Sequence, residues 1–180
     1  MADTSKTRRD FIFIATGAVA VGGAVALTRP LLGQMGPAAD IVAKAGMEID
    51  LSLLQEGEQM IVPWRNKPIF IRYRTPAEIA AAQADDTADM IDPETDRSRL
   101  KPKPSGEFDP RYLVMIGICS HFGCVPTSEI GRFNAWRCVC HGADFDTSGR
   151  VRSGPAPRNM AIPPYTWVSE RAIKLAPEES

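Results

Sequence analysis

The chain has 180 residues, with 21 Lys and Arg against 22 Asp and Glu, and a formal charge of -1. That length suits one globular domain with a tail rather than two full domains, and the balanced charge excludes nucleic acid as a partner. Of its four Cys and two His, all lie between positions 119 and 141, a crowding that asks for a metal centre, a disulfide or both.

Residues 1–10 are polar and carry Lys6, Arg8 and Arg9, whereas Phe11 to Leu27 holds no charge. As a helix, that uncharged run would rise about 26 Å, near the lower limit for crossing a bilayer's hydrocarbon core. Thr28, Arg29 and Pro30 interrupt it, and Leu31 and Leu32 extend the expected span to 11–32 if Arg29 snorkels. The string Thr7-Arg8-Arg9-Asp10-Phe11-Ile12 resembles a twin-arginine export signal, which carries folded, cofactor-loaded proteins across the bacterial inner membrane. Ala24-Val25-Ala26 offers a cleavage site. Against cleavage, Ala18, Gly22 and Ala26 recur every four residues, a stripe that suits packing against another membrane helix. The expectation is a retained single-pass anchor with residues 1–10 on the cytoplasmic side, following the positive-inside rule.

Residues 33–46 carry Gly36, Pro37 and Gly46, lack a long apolar face and read as a linker, at most about 45–50 Å long if extended. Strand patterns follow at Met47–Ser52, Gln59–Val62 and Lys67–Tyr73. Thr75-Pro76-Ala77-Glu78 has the residues of a capping box with Pro at the first helical position, predicting a short helix to about Gln83. Residues 85–110 are acidic and Pro-rich and read as a surface excursion. Further strands are expected at Tyr112–Ile118, Arg132–Arg137, Met160–Val168 and Ala172–Leu175, so the soluble part reads as a mainly β, antiparallel domain.

The first cysteine run reads Cys119-Ser120-His121-Phe122-Gly123-Cys124 and the second Cys138-Val139-Cys140-His141-Gly142-Ala143. A zinc site of two Cys and two His would leave two cysteines without a role, and a framework of two disulfides would leave the histidines without one. A mixed Cys/His metal site braced by a disulfide uses all six. Histidines on one iron and cysteines on the other define a Rieske two-iron, two-sulfur centre.

These two boxes resemble the signature of the Rieske proteins of cytochrome bc and related quinol-oxidising complexes. The resemblance extends to the anchor, the linker, Lys67-Pro68-Ile69-Phe70-Ile71-Arg72, and the proline loop Gly154-Pro155-Ala156-Pro157. It implies one [2Fe-2S] cluster, with Cys119 and Cys138 on one iron, His121 and His141 on the other, and a Cys124–Cys140 disulfide joining the loops. It also implies that His141 contacts the quinol and that the proline loop covers the cluster. The implied organisation is a twin-arginine segment 1–10, an anchor 11–32, a hinge linker 33–46 and a Rieske domain 47–180. The cluster-binding subdomain would occupy about 111–160. The implied setting is the periplasmic side of a bacterial inner membrane, in a dimeric complex with a cytochrome b subunit and a c-type cytochrome subunit.

One departure matters. Many high-potential members end the second box with Ser and place Tyr two positions later, each hydroxyl bonding a sulfur; here those positions are Ala143 and Phe145. Hydrogen bonds to sulfur favour the more negative, reduced cluster, so their loss lowers the potential, by about 40–90 mV for each bond of roughly 1–2 kcal/mol. Phe122 stands where Leu is usual, and no functional claim attaches to it.

The leading expectation is the iron–sulfur subunit of a quinol–cytochrome c reductase, taking an electron and a proton from quinol and passing the electron to a c-type cytochrome at lowered potential. A second reading is the small Rieske subunit of a periplasmic oxidase such as arsenite oxidase, against which the small-residue anchor and proline loop argue. A third, from another class, is a zinc-braced structural module, separated by iron and acid-labile sulfide assays.

Overall fold

In the computed structural model, residues 7–35 and 46–176 are described, and the chain divides into two units, 1–44 and 45–180. Ten of the expected linker residues, 36–45, lie outside the described residues.

Helix α1 runs from Arg8 to Gln34, with Thr7 as its N-cap. The Thr7 side chain accepts from the Asp10 backbone N–H, and the Asp10 carboxylate accepts from the Thr7 N–H at 2.9 Å. This capping box satisfies first-turn donors and starts the helix at the arginine pair. Its apolar stretch reaches a mean hydropathy of 2.1, long and apolar enough to cross a membrane. The expected interruption at Thr28-Arg29-Pro30 does not end the helix, which continues to Gln34. Pro30 withholds only the N–H that would serve the Ala26 carbonyl. Thr28 Oγ1 meanwhile donates to the Ala24 carbonyl at 2.7 Å.

The second unit bears out the mainly β, antiparallel expectation. Strands β1 (Met47–Asp50), β9 (Tyr165–Ser169) and β10 (Ala172–Leu175) form one sheet in the order β1-β10-β9. β2 (Gln59–Trp64), β3 (Lys67–Tyr73) and β4 (Tyr112–Ile116) form a second. β5 (Thr127–Ile130), β6 (Ala135–Cys138), β7 (Ala143–Phe145) and β8 (Val151–Ser153) form a third, in sequence order. Every strand pair is antiparallel.

The middle sheet separates two cores. Because side chains alternate across a strand, Ile69, Ile71, Tyr112 and Val114 join the core that contains Ile173 and Trp167. Their neighbours Phe70, Leu113 and Met115 face the core that holds Cys119, Cys138 and Phe145. Two strands buried on both faces therefore tie the base sheet to the sheet that carries the cysteine boxes.

Three sequence readings need correction. The strand expected over Arg132–Arg137 begins only at Ala135, because Gly131 and Asn134 adopt φ of +84° and +48° in the preceding hairpin turn. The strand expected from Met160 begins at Tyr165, since Pro163 and Pro164 have no N–H for a ladder. The 85–110 excursion is not purely superficial. It follows helix α2 (Pro76–Ala84) and buries Asp96, Arg99, Leu100 and Lys103. Arg74 meets Asp96 at 2.6 Å, and Arg150 meets Asp86 at 2.6 Å and Asp146 at 2.8 Å. Acidic residues counted as solvated instead neutralise arginines delivered by other elements, which is what makes burial of those charges tolerable.

Asp109 shows the same pairing at the far end of this segment. Burial alone would raise its carboxyl, but hydrogen bonds from the Arg111 side chain, from Lys103 and from the Arg111 N–H outweigh that and bring it down to about 2. A carboxyl lowered on folding contributes stability above its unfolded value, lost as pH falls from about 4 toward about 2. Asp109→Asn should therefore cost about 2 kcal/mol near neutrality and roughly half of that at about pH 3. Denaturant titrations of both proteins across this range check it, and a gap that does not change with pH would contradict it.

Candidate metal centre

The two boxes form matching turns. The first leaves β4 and closes through the Gly123 N–H donating to the Cys119 carbonyl at 3.0 Å. The second leaves β6 and closes through the Gly142 N–H donating to the Cys138 carbonyl at 2.9 Å. Both glycines have positive φ, +80° and +77°, a conformation that side chains resist and that each turn needs to fold back after its histidine. Each turn thus presents a cysteine at its start and a histidine just before its glycine or one residue earlier.

Cys124 and Cys140 are joined by a disulfide with a Cα–Cα separation of 6.8 Å. His121 and His141 meet edge to face, with ring centroids 4.6 Å apart. Cys119 and Cys138 are free thiols, each 1% exposed. Cys138 Sγ lies within 4.8 Å of the Cys124 and Cys140 sulfurs; those two are bonded to each other and have no thiolate to offer a metal.

Two observations test whether a metal group fits. His121 Nδ1 is buried with no hydrogen-bond partner, a costly state for a polar nitrogen unless something else engages it. Burial also pushes the Cys119 thiol up, while the His121 backbone N–H acts the other way and the neighbouring Cys138 adds to the rise. Two adjacent buried thiols become good thiolates when a cation compensates their charge. Two buried thiols and two imidazoles, one with a buried nitrogen that lacks a partner, fit a two-iron, two-sulfur group with mixed ligation.

Near these residues stand two apolar turn tips and the proline segment. Phe122 and Val139 stand out at the tips of the two turns, 77% and 65% exposed. Ala143 and Phe145 are buried in the core beneath, so neither offers a hydroxyl at its position. The segment 154–157 lies against the second turn: a Cβ added at Gly154, where φ is +91°, would sit 2.6 Å from Ala143 Cα. Sequence reading missed Ser120. Its hydroxyl donates to the Arg158 carbonyl at 2.6 Å and accepts from the Arg158 N–H at 3.1 Å, tying the first turn to the end of the proline segment. A serine inside the first box was the only signal, and nothing in its spacing named a partner 38 residues away.

Comparison with known proteins places this geometry. Residues 97–166 match the Rieske [2Fe-2S] domain family, and residues 1–38 match the ubiquinol-cytochrome c reductase Fe-S subunit TAT signal family. The chain is 48% identical over 171 residues to the ubiquinol-cytochrome c reductase iron-sulfur subunit of Bradyrhizobium diazoefficiens, covering 94% of each. It is 46% identical over 169 residues to that of Rickettsia felis, covering 94% of this chain and 93% of that protein. A chain of a hyperthermophilic respiratory Complex III superposes with a TM-score of 0.50 at 25% identity, covering 90% of this chain and 98% of that one. The protein belongs to the Rieske iron–sulfur subunits of ubiquinol–cytochrome c reductases.

The Gly154 contact gives a direct test. Gly154→Ala forces a Cβ into the Ala143 backbone in a strained φ and should cost about 1–3 kcal/mol. Thermal melting of the detergent-solubilised full-length protein checks this, and an unchanged melting temperature would contradict the close approach.

Proposed function

We propose that Cys119, Cys138, His121 and His141 hold the [2Fe-2S] cluster, two thiolates on one iron and two imidazoles on the other. The observation that carries this is the buried, partnerless Nδ1 of His121, on the same turn as the buried thiol of Cys119. When bound, the cluster supplies a one-electron acceptor whose potential the neutral imidazoles hold above that of an all-cysteine cluster.

The remaining work belongs to the chain's own groups. His141, on the exposed side of the second turn, offers its outer ring nitrogen to a quinol hydroxyl and takes up the proton released on oxidation. Phe122 and Val139 give the rim an apolar surface that keeps water from that contact. The Cys124–Cys140 disulfide holds the two turns at fixed separation. Helix α1 anchors the protein in the bacterial inner membrane with the Rieske domain in the periplasm. Residues 33–46 act as the tether that lets the domain move between a cytochrome b subunit, where quinol is oxidised, and a c-type cytochrome subunit, in a dimeric complex.

Ala143 and Phe145 set the potential low. Both are buried beside the second turn and carry no hydroxyl to donate toward a sulfur. Restoring the hydroxyls with Ala143→Ser and Phe145→Tyr should raise the midpoint by about 40–90 mV for each bond regained. Potentiometric titration of native membranes, read by electron paramagnetic resonance, measures it. A midpoint unmoved in the double variant would remove the low-potential reading and leave the cluster assignment standing.

A further inference from the structure

The neck of the proline segment is closed by a residue that no part of the site explains. Asn159 follows the segment, is buried and engages both ends of its side-chain amide and its backbone N–H. Its side-chain oxygen accepts from the Val151 N–H at 2.9 Å, on the strand that leads into Gly154. Its backbone N–H donates to Asp92 Oδ2 at 2.9 Å. Its amide nitrogen donates to the Asp92 carbonyl at 3.0 Å and to Glu94 Oε2 at 3.1 Å. Glu94 is itself held by Arg99 at 2.6 Å, and Arg99 also donates to the Met160 carbonyl at 2.6 Å.

The strand entering the proline segment and the residue leaving it are therefore joined through one side chain, which is oriented from about 65 residues away in sequence. A chain loop of this kind closes at its neck, and fixing the neck restricts the whole loop. The Ser120–Arg158 contact holds the end of the segment from the side of the first turn. On the other side, Asp92, Glu94 and Arg99 act through Asn159 and Met160, and the Met160 N–H also donates to the Gly149 carbonyl at 3.0 Å.

We propose that Asp92 and Asn159 form a latch by which the acidic 85–110 segment positions the proline cover over the cluster. Both are positioning residues, acting on the metal centre only through the cover; the inference rests on the reading that 154–157 shields the cluster. With the latch intact, the cover excludes water and chelators from the metal centre. With the latch broken, the cover loosens at its neck by local fluctuation, since Asn159 belongs to neither apolar cluster. Ala156 and Met160, packed in the core that holds Cys119 and Cys138, still hold the segment down between those fluctuations.

The test uses the full-length protein with its cluster in detergent, comparing Asp92→Ala, Asn159→Ala and the conservative Asp92→Asn, which keeps an oxygen acceptor. Two readouts are followed: amide hydrogen exchange over 154–160, and decay of the reduced-cluster resonance under excess chelator. Both alanine variants should exchange this segment and lose the cluster roughly fivefold faster or more than the parent, while strands β3 and β9 keep their protection. Asp92→Asn should stay near the parent. Unchanged exchange over 154–160 would overturn the latch and leave the cover reading intact. Faster exchange with unchanged cluster loss would overturn the cover reading, and the inference with it. Equal loosening by Asp92→Asn and Asp92→Ala would overturn the acceptor role given to Asp92.

Discussion

Everything in the second unit serves the meeting of two short turns that belong to different strands. The histidines stack edge to face at 4.6 Å only because the turns are closed by their own backbone hydrogen bonds and tied by the Cys124–Cys140 disulfide. Cross-linking two loops removes conformations that the unfolded chain would otherwise explore, so the donor geometry is paid for largely before any metal arrives. Without that constraint the buried thiols would be two poorly solvated groups with no reason to remain together.

The middle sheet transmits this constraint. Phe70, Leu113 and Met115 pack beneath the turns while Ile69, Ile71 and Val114 pack against the base sheet. Strands buried on both faces cannot slip by one residue without sending each side chain to the wrong core. The buried arginines reinforce the same junction from outside. Arg74, Arg99 and Arg150 each reach carboxylates or carbonyls on segments distant in sequence, and removing one partner would strand a buried charge.

Much of this was legible in the sequence, for identifiable reasons. β3 was marked by Ile69-Phe70-Ile71, and α2 by the Thr75/Glu78 box with Pro76, because both signals are local. The crowding of six ligand-type residues indicated a metal site with a disulfide, since no simpler scheme used all of them. The short strands β5, β7 and β8 were not legible, because three or four residues inside ligand loops carry too little periodicity. Residues 85–110 misled for a different reason: composition reports charge but not its partner, and the partners are Arg74 and Arg150, supplied from elsewhere in the chain. Ser120 and Asn159 escaped for the same cause, since their contacts join residues 38 and 67 positions apart.

The central claim is that two imidazoles and two thiolates share one cluster between the turns. Pulsed electron paramagnetic resonance of the reduced full-length protein tests it most directly, by resolving the ligand nitrogens coupled to the unpaired electron. The account predicts two inequivalent imidazole nitrogen couplings, one lost when His121 is replaced and the other when His141 is replaced. A reduced cluster with no nitrogen coupling, or with one that survives both replacements, would contradict it.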